Sequence, residues 1–341
     1  MPTRLPGIPV VALTGHLGAG KTTVLNHLLR APGARVGVVV NDFGAINVDA
    51  ALVTGQVDEP ASITGGCVCC ISDTDELDAA LERLTHPRLA LDVVVVEASG
   101  VAEPAALAKL IRYSGVERVR PGGVVDVLDA VEHRRTLDTR DEPPPRHAAA
   151  SLVVVNKCDL LPPGTAEQTL RDLESRVRAV NPHAALVRTS RGRLDPALVF
   201  DAAAPEPPDG QLTLADLARP DDEHGHVHVA SASLAVPGAV SPGRLLDLLE
   251  RPPLGTYRAK GTVQVRSSTT GATRGYLVNL VGRQLHVATH RARTAGSELV
   301  LLGPGLDVAA AERALAVALQ PAERPDPEGS RRLQRYRRLS L

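Results

Sequence analysis

A glycine-rich stretch near the amino terminus, GHLGAGKTT at residues 15–23, has the composition of a phosphate-binding loop. It fits the pattern of a glycine, four residues and then Gly-Lys-Thr, in which backbone N–H groups point inward around phosphate oxygens. The ammonium of Lys21 can reach the β- and γ-phosphates of a nucleotide, and the hydroxyl of Thr22 can ligate Mg²⁺. We therefore predict that the nucleotide phosphates are bound by Gly15, Gly18, Ala19, Gly20, Lys21, Thr22 and Thr23.

A second motif, NKCD at residues 156–159, follows the apolar run SLVVV and should lie at the carboxyl end of a strand. The Asp159 carboxylate can accept hydrogen bonds from the ring N–H and the amino group of guanine together, whereas adenine has no such pair of donors. We expect Asn156 and Lys157 to support this loop, and Thr189-Ser190 to add backbone contacts to the base. The motif therefore predicts binding of GTP.

An acidic strand end, in VVVVEASG at residues 93–100, supplies a candidate for the metal that accompanies the phosphates. Glu97 stands where a carboxylate would hold Mg²⁺ or its water, and Gly100 lets the backbone approach the γ-phosphate. No residue is a clear candidate for positioning the attacking water. The predicted catalytic residues are Lys21, Thr22 and Glu97.

The stretch NDFGAINVDA, residues 41–50, follows the second apolar run and resembles a loop that senses the nucleotide. Asp42 and Asp49 are candidate ligands of Mg²⁺ or of a transferred metal. Loop acids without such a role are the alternative, and the sequence leaves both interpretations open.

A cluster of thiols, GGCVCC at residues 65–70, contains three of the four cysteines of the chain. In an extended segment Cys67 and Cys69 project to the same side, about 7 Å apart, and a turn at the glycines could bring Cys70 to join them. Three thiolates suit a soft or borderline cation such as Zn²⁺ and leave one of its usual four positions open, which favours transfer over storage. A redox switch is the alternative, while Cys158 is expected to be a packed thiol.

Alternating histidines form another candidate metal site in HGHVHV, residues 224–229. On a strand, His224, His226 and His228 would share one face. A weak auxiliary metal site and a polar edge of a linker are equally compatible with so short a run.

Apolar runs rich in Val alternate with helix-like segments over the first 200 residues. The runs lack strict alternation, as expected for strands buried on both faces of a parallel sheet. This pattern predicts a doubly wound α/β domain. The predicted strands are residues 9–13, 35–40, 91–97, 122–128, 151–156 and 184–189.

Composition shifts divide the rest of the chain. A segment rich in Pro and Asp reads as a linker, and the strand-like and helical segments after it predict a smaller α+β domain. We predict a P-loop domain over residues 1–200, a linker over 201–223, an α+β domain over 224–322 and a basic, mobile tail over 323–341.

The overall charge and hydropathy exclude several classes of protein. A formal net charge of −1 gives no electrostatic footprint for nucleic acid. No apolar run approaches the ~20 residues of a membrane span, and the first residues carry no secretory signal. We expect a cytoplasmic protein with neither nucleic-acid nor membrane partners, in which clustered cysteines are more often metal-binding or catalytic than disulfide-bonded.

Taken in order, GHLGAGKTT, NDFGAINVD, GGCVCC, VEASGVAEP and NKCD resemble the motifs of the CobW-type GTPases, a family of metal-handling P-loop proteins. The resemblance implies a GTPase domain followed by a carboxyl-terminal domain, and YRAKG at residues 257–261 is similar to a signature of the latter. The chain departs from the family pattern at Asp42, where Glu is common. It departs again in the insert RDEPPPRHAAAS at residues 140–151.

Motifs and resemblance together predict a GTP-hydrolysing metallochaperone that uses GTP and Mg²⁺ and delivers Zn²⁺, or Co²⁺, to a client protein. Slow turnover is expected without a partner, and a nucleotide- or metal-dependent homodimer is considered. Three alternatives remain. They are a metal-responsive regulatory GTP-binding protein, an activator of a cobalt-dependent enzyme or of the cobalamin pathway, and a small-molecule kinase, against which NKCD speaks.

Overall fold

The computed structural model of the chain describes residues 7–31, 34–40, 75–200, 229–266, 272–290, 296–322 and 325–340, together with the backbone of residues 61–62. Within these ranges the chain forms two sheets, each with its own helices and apolar core. The predicted pairing of a doubly wound α/β domain with a smaller α+β domain is confirmed.

The first sheet is a parallel sheet whose central strand leads into the phosphate loop. Its strands are β1 (Ile8–Gly15), β2 (Val36–Val40), β3 (Ala61–Ser62), β4 (Val93–Glu97), β5 (Val119–Asp129), β6 (Leu152–Asn156) and β7 (Ala185–Arg188). They lie in the order β3-β2-β4-β1-β5-β6-β7, and the described pairings are all parallel. The loops at their carboxyl ends therefore meet at one edge of the sheet.

Burial on both faces explains the apolar, non-alternating strands of this sheet. Every residue of β2, β4 and β6 is buried. On β1, Leu13 belongs to one core cluster, and its neighbour Ala12 belongs to the cluster on the opposite face. A sheet covered on both sides has no polar face, so its strands carry no period of two.

Helices supply the apolar side chains that cover the two faces. They are α1 (Lys21–Leu29), α2 (Asp75–Leu84), α3 (Pro104–Arg112), α4 (His133–Thr136) and α5 (Ala166–Val180). Leu25 of α1 packs in the cluster that contains Leu13. Leu81 of α2 and Leu107 of α3 pack on the other face. Helix α1, which follows the phosphate loop, therefore packs on one face of the sheet, and α2 and α3 pack on the other.

The second sheet is antiparallel apart from one short parallel pairing. Its strands are β8 (Val229–Pro237), β9 (Ala239–Val240), β10 (Arg258–Arg266), β11 (Thr273–Val281), β12 (Gln284–His290) and β13 (Gly296–Pro304), and its helices are α6 (Pro242–Glu250), α7 (Val308–Ala318) and α8 (Pro327–Leu339). The strand order is β12-β11-β10-β13-β8, and β9 runs parallel beside β10. Leu245 of α6, Leu315 of α7 and Leu333 of α8 share its core cluster.

Tyr257, the first residue of YRAKG, joins the second sheet to the first. Its side chain is buried in a core cluster of the first sheet, and its hydroxyl lies 3.3 Å from the Oγ of Ser151. Gly123 makes the room for this contact, because a Cβ there would lie 2.8 Å from that Oγ. The guanidinium of Arg258 donates to the carbonyl of Ala197 at 3.1 Å. The motif that resembles a carboxyl-terminal signature is thus part of the domain contact.

The segment after residue 322 corrects the expectation of a mobile tail, because it forms the packed helix α8. Asp326 caps this helix and accepts hydrogen bonds from the N–H of Gly329 at 2.8 Å and from the Oγ of Ser241 at 2.9 Å. Leu333 faces the core and is fully buried. The basic charge of the segment suggested a mobile tail. The sequence also contains an Asp-Pro pair that can start a helix, and an apolar residue, Leu333, that lies on its inner face.

Part of the predicted organisation lies outside the described residues, namely the linker at 201–223 and the start of the second domain at 224–228. The domain boundaries therefore stay predictions. Across the described ranges, no helix is both long and apolar enough to cross a membrane.

The packing of α8 predicts that Leu333→Ala lowers the free energy of unfolding by about 2–4 kcal/mol, because the truncated side chain leaves a cavity. Urea unfolding followed by far-ultraviolet circular dichroism measures this change. The matched control is Leu339→Ala in the same helix, whose side chain is 73% exposed and whose loss should cost less than about 0.5 kcal/mol. Equally small effects of the two variants would contradict the packing of α8.

Candidate functional site

The phosphate loop, residues 15–22, runs from the end of β1 into the first turn of α1. Gly18 and Gly20 have φ angles of 77° and 99°, which glycine adopts at little cost, and Gly20 is the N-cap of α1. Such a loop presents successive N–H groups to an anion, and the helix amino terminus adds partial positive charge. The local geometry is that of a phosphate site.

Lys21 lies folded against this loop. Its Nζ donates to the carbonyl of Gly15 at 3.1 Å and lies 3.4 Å from the carbonyl of His16. The side chain is buried although it carries a charge. The ammonium is therefore held at the loop that would bind the phosphates.

Thr22 and Glu97, the two residues predicted to manage Mg²⁺, are in direct contact. The hydroxyl of Thr22 donates to Oε1 of Glu97 at 2.8 Å. Glu97 is buried at the end of β4, where its register partner on β1 is Leu13. A hydroxyl and a carboxylate are hard oxygen ligands of the kind that Mg²⁺ binds at nucleotide sites. The donor set fits the ion that the motifs imply.

Gly100 brings the loop after β4 against the phosphate loop. A Cβ at this position would lie 2.7 Å from the backbone N and 2.8 Å from the Cα of Leu17. Contacts that short do not occur for real Cβ atoms, so the two backbones can approach only because residue 100 is glycine. The approach of this backbone to the γ-phosphate, which the sequence predicts, stays a prediction.

Asn156 connects the phosphate loop to the other end of the candidate site. Its Nδ2 donates to the carbonyl of Ala19 at 3.0 Å, and its Oδ1 accepts from the N–H of Gly192 at 2.9 Å. The side chain is buried at the end of β6. The amide of Asn156 therefore connects the loops that follow β1, β6 and β7.

Lys157 and Asp159, the other members of the motif, each lie beside an oppositely charged residue. Lys157 Nζ donates to Oδ2 of Asp129 at 2.6 Å. Although burial opposes ionisation of Asp129, this hydrogen bond holds the pKa of its carboxyl below the usual value. Asp159 Oδ2 lies 3.7 Å from Nε of Arg191, with the carboxylate partly exposed. A carboxylate at the rim of the site is accessible to a base.

Cys158 is a packed thiol, as predicted. It packs against a core cluster, and its Sγ donates to the carbonyl of Val155 at 3.2 Å. Burial raises the pKa of the thiol, which disfavours the thiolate that a metal would need. The N–H of Thr189 donates to the carbonyl of Val155, and the carbonyl of Thr189 accepts from the N–H of Cys158. Contacts of Thr189-Ser190 with a base stay a prediction.

The remaining candidate metal ligands lie outside the described residues. They are Cys67, Cys69, Cys70, Asp42, Asp49, His224, His226 and His228. Within the ranges that the structure does describe, no group of three or more His, Cys, Asp or Glu side chains could hold a metal ion.

A buried carboxylate, Asp126, is a site residue that the sequence interpretation missed. Its Oδ1 accepts from the hydroxyl of Thr14 at 2.9 Å, and its Oδ2 lies 2.8 Å from Nδ1 of His147. Burial opposes its ionisation, but the bond to His147 and the charge of Arg146 hold the pKa of Asp126 below the usual value. One signal was available, because an acid inside the apolar run GGVVDVL needs partners once it is buried.

Both domains match family models. Residues 9–188 match the model described as CobW/HypB/UreG, nucleotide-binding domain, and residues 229–319 match the Cobalamin synthesis protein cobW C-terminal domain. The first match contains the phosphate loop, Glu97 and the NKCD motif. The second contains Tyr257 and most of the second sheet.

Curated relatives share these segments. The zinc chaperone YjiA of Escherichia coli (strain K12) is 30% identical over 201 residues, which cover 57% of this chain and 61% of YjiA. The zinc chaperone CobW of a Sinorhizobium species is 27% identical over an alignment of 361 residues, covering 92% of this chain and 97% of that protein. The solved Zn(II)-bound YjiA GTPase from E. coli is 20% identical and covers 93% of this chain and 100% of its own, at a TM-score of 0.42. That structural likeness is too distant to carry an argument.

The contact between Gly100 and the phosphate loop predicts that Gly100→Ala weakens nucleotide binding. The added methyl group overlaps the backbone of Leu17 and displaces the loop, at a cost of about 1–3 kcal/mol in binding free energy. Titration of a fluorescent GDP analogue measures the loss. Gly164→Ala is the control, because a Cβ there meets nothing within 4 Å. If Gly100→Ala and Gly164→Ala bound the nucleotide with equal affinity, the contact between Gly100 and Leu17 would not determine the position of the phosphate loop.

Proposed function

Since the chain belongs to the CobW/HypB/UreG family, with the nucleotide-binding and the cobW carboxyl-terminal domain both matched, we propose that it is a GTP-hydrolysing metallochaperone for a divalent metal, with zinc as the first candidate. The contact between Thr22 and Glu97 beside the phosphate loop carries the proposal. It is supported by Asn156, which ties this loop to the guanine-reading motif.

Each proposed role in GTP binding follows from the contacts above. Backbone N–H groups of residues 15–22 hold the phosphates, and Lys21 adds its charge from the same loop. The hydroxyl of Thr22 and the carboxylate of Glu97 would hold Mg²⁺, which neutralises charge on the phosphates when bound. Turnover then depends on positioning and on electrostatic stabilisation, since the protein forms no covalent bond to the substrate.

Guanine specificity is assigned to Asp159. Its carboxylate is partly exposed next to a loop that Asn156 fixes relative to the phosphates. Two acceptor oxygens match the two donors on the Watson–Crick edge of guanine. This pairing also separates the proposal from a small-molecule kinase that uses ATP.

The proposed cargo site is the set of Cys67, Cys69 and Cys70. Thiolates suit Zn²⁺, and an incomplete ligand set leaves a position through which the metal can pass to a client protein. Relatives named zinc chaperones support the choice of metal. Cys158 is not part of this set, because its partly buried thiol packs against a core cluster at the end of β6.

Control by the nucleotide is proposed from the order of the motifs. The cysteine motif lies between the NDFGAINVD loop and Glu97, two segments expected to respond to the γ-phosphate. GTP would then order the thiolates, and metal would tighten GTP binding in return, by about 1–3 kcal/mol of coupling. A client that raises turnover would identify a chaperone, whereas metal-dependent binding to a partner without turnover would identify a regulator.

Asp159→Asn is expected to shift the base preference from GTP to xanthosine triphosphate. An amide offers one acceptor and one donor, which mismatches the two donors of guanine and matches the N–H and carbonyl of xanthine. Because a hydrogen bond to a charged group is worth about 1.5–3 kcal/mol, GTP affinity should fall about 10- to 100-fold. Competition of both nucleotides against a fluorescent GDP analogue measures the shift.

The control for this shift is Asp172→Asn, an exposed acid on α5 that pairs with Gln168. It should change neither affinity. Retention of full GTP affinity by Asp159→Asn would remove Asp159 from the base site.

Replacement of Cys67, Cys69 and Cys70 by Ser is expected to abolish tight zinc binding and leave GTP affinity unchanged in the absence of metal. Removal of a residue that only hydrogen-bonds to a metal ligand lowers metal affinity roughly 10- to 100-fold. The triple variant should lose more zinc affinity than that, because the ligands themselves are removed. Anaerobic chelator competition, with and without a GTP analogue, measures the affinity and its coupling to the nucleotide.

Cys158→Ser is the matched control and should keep the zinc affinity of the unmodified chain. If the triple variant also kept it, the cargo site would have to lie elsewhere. If zinc affinity were the same with and without the GTP analogue, control by the nucleotide would be excluded.

A further inference from the structure

A second polar cluster lies beside the phosphate loop, in the insert where the sequence departs from the family pattern. The 3₁₀ turn Pro145–Ala149 places Arg146 and His147 under that loop, with exposed fractions of 7% and 1%. Neither residue belongs to a nucleotide motif. Burying a charged or polar side chain is costly unless it has partners, so the partners of Arg146 and His147 have to be identified.

Pairing with Asp126 accounts for only part of this cluster. The carboxylate already accepts short hydrogen bonds from Thr14 at 2.9 Å and from His147 at 2.8 Å. Arg146 Nη2 reaches it at 3.4 Å, longer than a charge-assisted hydrogen bond. Arg146 therefore makes the longest of the three bonds to Asp126, and its guanidinium keeps donors, Nε among them, for another acceptor.

Two buried polar atoms of the cluster have no hydrogen-bond partner among the described residues. They are Nε of Arg146 and Nε2 of His147. Both side chains line a cavity of about 190 Å³ whose wall also includes the phosphate loop. Other lining residues are His16, Leu17, Gly18 and Asp129. Buried polar atoms of native proteins normally have partners, so two such atoms beside this cavity point to a polar ligand there.

The charge of Arg146 acts on the phosphate loop itself. Burial, followed by the charges of Arg146 and Lys21, lowers the pKa of His16 within the loop. The guanidinium and the ammonium thus act on one short segment, Arg146 from the cavity and Lys21 from within the loop. A segment between two cations is suited to a strongly anionic ligand.

We propose that Arg146 is a catalytic residue of GTP hydrolysis, supplied by the same chain, whose guanidinium contacts the phosphates of GTP in the transition state. This inference rests on the proposed GTPase function. In phosphoryl transfer, negative charge spreads over the phosphoryl and leaving oxygens, and an arginine placed there stabilises it. Asp126 and His147 are positioning residues, because their hydrogen bond holds the turn that carries Arg146.

The chemical step leaves Arg146 unchanged. The oxygen of a water molecule bonds to the γ-phosphorus, and the bond from that phosphorus to the β–γ bridging oxygen breaks. The bridging oxygen keeps the electron pair and stays on GDP, while both protons of the water leave on the inorganic phosphate. Arg146 donates hydrogen bonds to the oxygens that gain charge and transfers no proton, as expected of a group that stays protonated.

Arg146→Gln and Arg146→Lys test this role. We expect Arg146→Gln to lower the single-turnover hydrolysis rate about 100-fold or more, while the Kd for a non-hydrolysable GTP analogue changes by less than about threefold. It should also lose the complex of GDP and Mg²⁺ with aluminium fluoride, which mimics the transition state. Arg146→Lys should be intermediate, because an ammonium keeps the charge but not the planar fork.

Arg176→Gln is the matched control. Arg176 pairs with Asp138 and donates to the carbonyls of Arg140 and Asp141, so it fastens the same insert without lining the cavity. It should lower the thermal midpoint but keep the aluminium fluoride complex. Loss of that complex in both variants, or equal loss of analogue and aluminium fluoride binding in Arg146→Gln, would assign Arg146 a structural role and overturn the proposal.

The two levels of inference fail separately in this experiment. A chain that binds GTP but leaves it intact would overturn the proposed GTPase function, and the role of Arg146 with it. A chain that hydrolyses GTP equally well with Arg or Gln at position 146 would overturn the role of Arg146 alone.

Discussion

One buried amide, that of Asn156, joins the phosphate loop to the loops that follow β6 and β7. Its Nδ2 donates to the carbonyl of Ala19, and its Oδ1 accepts from the N–H of Gly192. Glycine is required at position 20 for two reasons. Its φ is 99°, and a Cβ would lie 2.4 Å from the Asn156 nitrogen. The glycine and the amide therefore depend on each other, and together they set the distance between the phosphate loop and the NKCD motif.

The second constraint on this edge of the sheet is that its buried carboxylates need hydrogen-bond donors. Glu97 accepts from Thr22, and Asp129 accepts from Lys157 and from two backbone N–H groups. Burying a charge is costly unless hydrogen bonds replace its water, and these partners do so before any ligand binds. For Asp129 the bond from Lys157 holds the pKa of the carboxyl below its usual value in spite of burial. In the Arg146 cluster, two buried polar atoms have no hydrogen-bond partner among the described residues.

The features that could be predicted from the sequence are those whose interacting residues lie close together in the chain or in short motifs. Apolar runs and the glycine-rich loop are local patterns, so the strands, the loop and the contact between Thr22 and Glu97 could be inferred from short motifs. Asp126 was missed because its partner His147 is 21 residues away, inside an insert without a familiar pattern. Helix α8 was missed because the basic composition drew attention away from its local Asp-Pro start, and because its burial depends on Ser241 and on the second core. In both cases a local signal existed, but the partner that explains it is distant in sequence.

The contact between the domains lies at the other end of the first sheet from the phosphate loop. The hydroxyl of Ser151, which faces Tyr257, also bonds to the backbone of Val124 at 3.0 Å and thereby joins the middle of β5 to the start of β6. Ser151 directly follows the insert, and Asn181 fastens that insert through the carbonyls of His147 and Ala150 at 2.9 and 2.8 Å. The second domain therefore contacts the start of the strand that ends at Asn156, directly after the insert that carries Arg146. Tyr257 and Asn156 thus lie at opposite ends of β6, one at the domain contact and the other at the phosphate loop.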